Sequence, residues 1–275
     1  ALDMKFDMIM NMPNMRFQFV ENYVKLNALH LGFDGTVVMP EAERNTIDLD
    51  VTFETKETSF KSLLSLVPAL YMNDFEDIET SGNLALSGMA KGRMMGDELP
   101  AFTLDLTVGE AMFHYPDLPK SAENIAVVLH VKNPGGTEDN TVIDLNKFHV
   151  ELANNPLDIV AHMRTPTSDP FIDADVNMDL DLASLADVIP LKEGQAVTGK
   201  VFTDIHLKGN QSAIDEERYQ AFEAGGMLAM SNIAHKDPSI PYEILIKACS
   251  LNFSPRYAEP VSYTHLTLPT NWGVG

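Results

Sequence analysis

The stretch that decides the fold is PFIDADVNMDLDLAS, Pro170–Ser184. Ile172, Ala174, Val176, Met178, Leu180 and Leu182 take every second position, and Asp173, Asp175, Asn177, Asp179 and Asp181 fill the places between. Successive side chains of an extended chain point to opposite faces, so one face here is apolar and the other carries carboxylates. The segment reads as a strand with one covered face and one wet face.

The same alternation recurs on both sides of it. AFTLDLTV sets Phe102, Leu104, Leu106 and Val108 against Thr103, Asp105 and Thr107. NIAVVLHVK repeats it with Ile125, Val127, Leu129 and Val131, LDIVAHMR with Leu157, Ile159, Ala161 and Met163, and KVFTDIHLKG with Val201, Thr203, Ile205 and Leu207. MKFDMIMNM, near the start, puts Met4, Phe6, Met8, Met10 and Met12 on one side. Turn signals such as NPGGTEDN and NNP separate these runs. The expected fold class is therefore mainly β: an elongated, curved antiparallel sheet, either an open groove or a flattened sandwich, with a few short helices. Helices are expected in TSFKSLLSLVPAL, capped by Thr58 or Ser59 and stopped near Pro68, and in LASLADVIPL, stopped at Pro190. A third is expected in SAIDEERYQAFEAGG, capped by Ser212 and ended by Gly225 and Gly226.

These pieces recur in order. Pro68 and Pro190, Gly88 and Gly209, and Pro119 and Pro241 each stand about 120 residues apart in matching contexts. The division this suggests is a first unit over 1–122 and a second over 123–260, each a set of strands with a short helix. Residues 261–275 are read separately. VSYTHLTLPT back-translates into the transposon end and adaptor of common sequencing libraries, so this tail is expected to be non-native and without function. The chain opens on Ala1 rather than Met, which points to processing or to residues upstream.

Composition narrows the function. The net charge of −21 argues against nucleic acid, whose phosphates demand a basic surface, and against adsorption to anionic lipid headgroups. Cys249 is the single cysteine, which excludes an intrachain disulfide and any cysteine-based zinc site; it reads as a small buried hydrophobe. No apolar run approaches the length needed to span a bilayer. DADVNMDLD imitates the start of a calcium loop, but the sixth place, which needs glycine, holds Met178. His130, His149, His162 and His206 fall on the polar sides of strands. There is no HExxH, GxSxG, phosphate-binding loop or GxGxxG. No catalytic residue, metal ligand or cofactor is expected.

What the pattern does offer is apolar surface that something must cover. In series, LPAFTLDLTVGEAMFHYPDLP, VKNPGGTEDNTVIDLNKFHVELANNP, TPTSDP and DLASLADVIPL resemble the C-terminal region of the AsmA family of Gram-negative envelope proteins, over roughly residues 1–260. The resemblance implies a periplasmic β-structure, held to the inner membrane by an N-terminal anchor that lies outside this sequence. It also implies kinship with chorein-type bridge-like lipid-transfer proteins, and a role in outer-membrane biogenesis and envelope integrity. The implied partners are phospholipid acyl chains and outer-membrane proteins, with no nucleic acid. Candidate residues lining a lipid groove are Phe102, Leu104, Leu106, Ile125, Val127, Leu129, Ile159, Val176, Met178, Ile205 and Leu207; ordinary core is the competing assignment for each. Two other classes stay open: a structural or protein-binding module with a closed core, and a carbohydrate-active β-protein, which would need two carboxylates converging in a cleft.

Overall fold

Strands this long and this numerous can satisfy their backbone groups only by pairing, and from β2 onward each does so with its neighbour in sequence. In a computed structural model, the described residues are 2–27, 29–40, 45–55, 59–64, 78–188, 191, 193–240, 242–253 and, for the backbone, 262–265. They form one 15-stranded antiparallel sheet. Strands β1 (Leu2–Lys5) and β2 (Met8–Asn11) both pair β3 (Arg16–Leu26), and β4 (Leu29–Val38), β5 (Thr46–Thr55), β6 (Glu79–Met95), β7 (Ala101–His114) and β8 (Ala122–Asn133) follow side by side. The path continues through β9 (Val142–Leu152), β10 (Asn155–Arg164), β11 (Phe171–Asp181), β12 (Ala196–Asn210), β13 (Glu223–Lys236), β14 (Ile244–Phe253) and β15 (Ser262–His265). The sheet is open, not a closed barrel, and among the described residues no second sheet faces it. Of the two architectures the alternation allowed, this is the open one. A curved single layer has one apolar face and one polar face.

The curvature comes from bulges. Pairing slips by an extra residue within β3–β4, β6–β7, β7–β8, β8–β9, β9–β10 and β12–β13. Each extra residue bends its strand and increases the local twist. Two of the bulges match across the sequence repeat. Gly82 (φ +110°) closes on Ala111 beside Glu110 (φ 50°), and Gly199 (φ +109°) closes on Ile233 beside Asn232 (φ 51°). A Cβ on Gly199 would stand 2.6 Å from Asn232 O and 2.7 Å from Ile233 Cα, so only glycine lets the strands meet there. The helices repeat as well: α1 (Phe60–Leu64) leads from β5 into β6, and α2 (Leu182–Leu185) leads from β11 into β12. The boundary at 122/123 falls inside β8, and the sheet is unbroken there.

Both helices sit at the same end of the strands, and α1 with the turn after α2 closes one flank of the apolar face. Phe60 and Val188 join Leu29, Leu84, Val108, Ala111, Ala122, Ile125, Val150 and Ala153 in a buried cluster. Asp181 caps α2 by accepting from the Ala183 amide, and Asn155 ties it to the sheet by donating to Ser184 Oγ. Lys120 holds the turn beyond, its amide donating to Asp187 O and its Nζ 3.1 Å from the Asp187 carboxylate.

Several local expectations need correction. The helix expected over Ser212–Gly226 is only α3 (Gln211–Asp215), followed by a 3-10 turn at Tyr219–Ala221, and Gly225 and Gly226 belong to β13. Ser212 does not cap it; its amide and hydroxyl donate to the Asp169 carboxylate. Pairing with β12 claims the chain from Glu223 onward, and that ladder outweighs a few residues of helix propensity. The run at Met4–Met12 is broken at Phe6–Asp7, and Met12 turns away in a 3-10 turn at Met12–Asn14. Thr58, Pro68 and Pro190 lie outside the described residues. So does most of the tail, except that Ser262–His265 pairs the edge of β14. An open edge offers unpaired amides to any extended segment of high β-propensity, whatever its origin.

Candidate functional site

Residues directly opposite each other in an antiparallel pair point to the same face, so register turns strand pairing into a surface map. One row reads Leu84–Val108–Val127–Phe148–Ile159–Val176–Ile205–Gly226–Phe253 across β6 to β14. The row beside it reads Leu86–Leu106–Leu129–Leu145–Ala161–Ala174–Leu207–Ala224. Phe102 and Leu104 lie opposite Asn133 and Val131, Ile125 opposite Ala111, and Met178 opposite Leu157. All eleven residues picked from the alternation therefore share one face of five strands. Ile125 is buried in the cluster under the helices, at 6% exposure; the other ten are partly exposed.

The alternation also missed some of this wall. Ile143, Leu145, Phe148 and Val150 of β9 face the same way, yet they do not alternate, because a bulge at Asn146–Lys147 shifts the phase between Leu145 and Phe148. At the first edge the face continues through Met10–Phe17–Val37 and Met8–Phe19–Gly35. Phe6 stacks edge-on against Phe19 and Phe33 there, while Leu2 and Phe6 stand more than half exposed.

The wall is not uniform. Thr203 lies in the row Val150–Leu157–Met178–Thr203–Leu228–Leu251, with aliphatic neighbours or methionine on every side. It is buried at 6% exposure, and its Oγ1 has no hydrogen-bond partner. Such a hydroxyl costs about 1–3 kcal/mol relative to a satisfied one. The other deeply buried polar side chains with described bonds are served. Asn133 donates to Thr137 O and Thr141 Oγ1 and accepts from the Gly135 amide, and Asn22 exchanges bonds with the Asp7 backbone.

The opposite face is a ladder of charge. Asp105, His130, Asp144, His162, Asp173 and Lys208 follow one another in register from β7 to β12. His130 Nδ1 is 2.6 Å from Asp105, His162 Nδ1 is 2.9 Å from Asp144, and Lys208 Nζ is 2.7 Å from Asp173. Lys208 holds the Asp173 carboxyl below the usual carboxylate range. His149 and Asp158, and His206 and Asp175, repeat the pairing at 2.7 and 2.9 Å. Two acids of the calcium-like stretch, Asp173 and Asp175, are thus strand-face groups with cross-strand partners, while Asp181 caps α2. No group of three or more His, Cys, Asp or Glu side chains able to hold a metal occurs among the described residues. A shallow depression of about 430 Å³ also lies on this polar face, between Asp34, Thr52, Glu54, Ser87, Thr103 and Asp105. Its carboxylates are engaged, Asp105 with His130 and Asp34 with the Glu21 amide. Phe53, Gly88 and Met89 also line it.

Among the described residues no helix is long and apolar enough to cross a membrane. Comparison with protein-family models, with curated proteins and with solved structures found no match.

Proposed function

We propose that this chain is part of an AsmA-like envelope protein, and that its apolar face is a trough along which phospholipid acyl chains pass between membranes. The observation that carries the reading is the apolar wall from β6 to β14, broken at Thr203, with no second sheet over it among the described residues. Each methylene laid on such a wall gains about 0.8 kcal/mol on full burial, and apart from Thr203 the rows that face it are largely apolar, so a chain is held and can still slide. The polar ladder on the reverse keeps that side in water and leaves one side for lipid. No step in this function makes or breaks a covalent bond. In the full protein the reading carries with it periplasmic localisation and an inner-membrane anchor outside this sequence.

The test is to place Asp at Leu104, Leu129 and Val176 together and to measure phospholipid co-purifying with the protein by native mass spectrometry. Loss of bound lipid with the β circular-dichroism spectrum intact is expected. Unchanged lipid loading in the folded triple variant sinks the trough. A second reading, a structural or protein-binding β-module, is favoured by the cluster that α1 and Val188, in the turn after α2, complete with Leu84, Val108 and Val150. It would have wild-type protein emerge free of lipid.

A further inference from the structure

Among the described residues, the one buried hydroxyl without a partner interrupts the face at a definite place, and its surroundings limit what could satisfy it. A water molecule there would find Thr203 Oγ1 and otherwise Val201, Ile205, Met178 and Leu228, fewer than the two to four polar partners that hold a buried water. A peptide strand would bring a carbonyl, but also amides that the wall cannot serve. A fatty-acid carboxylate would bring a charge into an apolar site. A bare hydrocarbon would leave the hydroxyl as it is. A carboxylic ester on an alkyl chain brings one uncharged acceptor and no donor, and everything else it presents is apolar. The thioether of Met178, unbranched and flexible, can change rotamer to admit it.

We propose that Thr203 is the registration point of the trough: its hydroxyl donates to the ester carbonyl of a glycerolipid acyl chain and sets where along the wall a lipid pauses. This rests on the trough reading above and adds the class of ligand, an acyl ester, and the residue that distinguishes it. Thr203 is a positioning residue and takes part in no reaction.

The experiment compares binding of dioleoyl phosphatidylcholine with that of its diether analogue, which lacks only the two carbonyl oxygens. Both are titrated by native mass spectrometry into wild-type chain, Thr203→Val and Thr203→Ser. Wild type is expected to prefer the ester about two- to tenfold, the range of one hydrogen bond. Thr203→Val, of the same shape, should bind the two lipids equally, and Thr203→Ser should keep the preference. A role confined to the fold would shift the melting temperature of Thr203→Val and leave the ester-to-ether ratio alone. Equal binding of both lipids by wild type, or a preference that survives in Thr203→Val, overturns this proposal and leaves the trough standing. Failure of wild type to bind either lipid overturns both.

Discussion

Truncating a leucine should cost very different amounts at two points of the same face, and the difference reports whether that face is covered. Leu84 is 1% exposed, opposite Val108 in the cluster that Phe60 of α1 and Val188 after α2 join. Leu84→Ala loses the transfer free energy of its missing carbons and leaves an enclosed cavity; together these cost about 2–5 kcal/mol, with about 3.5 the central expectation. Leu129 is opposite Leu106 and Leu145 but lies outside the cluster and is partly exposed. With no layer above it, the hole left by Leu129→Ala opens to solvent and the cavity contribution disappears. The transfer contribution remains, at about 0.8 kcal/mol per buried methylene and only partly realised, giving about 1.5 kcal/mol. Urea unfolding of lipid-free protein, followed by circular dichroism with the slope compared between variants, measures both. A gap of about 2 kcal/mol between the variants is expected. If Leu129→Ala costs as much as Leu84→Ala, the face is covered and the open trough is wrong.

Other consequences can be checked as directly. Gly199→Ala must relieve a Cβ 2.6 Å from Asn232 O at a positive φ, so it should destabilise by about 1–3 kcal/mol in the same unfolding assay, and a neutral result would mean the bulge is adjustable. The amides of Thr167 and Ser168 and the Thr167 hydroxyl all donate to Asp139, which lowers its carboxyl to about 2. A depressed carboxyl favours the fold above its unfolded value near 3.8, and that contribution fades as pH falls through about 2. The Thr167 and Ser168 amide shifts should therefore titrate near 2 in NMR spectra, and a midpoint near 4 would deny the tie. Asp139→Asn should remove this low-pH step from both amides without touching the β spectrum.

Much of this molecule could be read from residue order because, apart from β1 beside β3, its sheet follows that order. Pro170–Ser184 declared both faces of β11, and the eleven wall residues followed from the same period of two. Where a bulge shifted the phase, as between Leu145 and Phe148, the pattern fell silent and β9 went unrecognised although it lies in the middle of the wall. The stretch after Ser212 misled for a different reason: its acids and closing glycines are sound local helix signals, but the β12–β13 ladder took the glycines. Periodicity says which side chains share a face and nothing about what covers it, so groove and sandwich could not be separated until the single layer was seen. Thr203 was visible as a lone hydroxyl among Val201, Ile205 and Leu207. That it is buried and unpartnered depends on Met178 and Leu228, from strands on either side, which no local reading brings together.

The strict neighbour-to-neighbour order has an evolutionary corollary. In folds where distant segments interleave, a tandem duplication leaves the new copy competing for partners already taken. Here a duplicated stretch of six strands, such as that from β6 to β11, can be spliced in without any existing strand exchanging both its neighbours. At about 4.8 Å per strand it lengthens the body by about 29 Å. Span is then a quantity that selection can adjust by counting copies, as the length of a bridge is set by repeating one section.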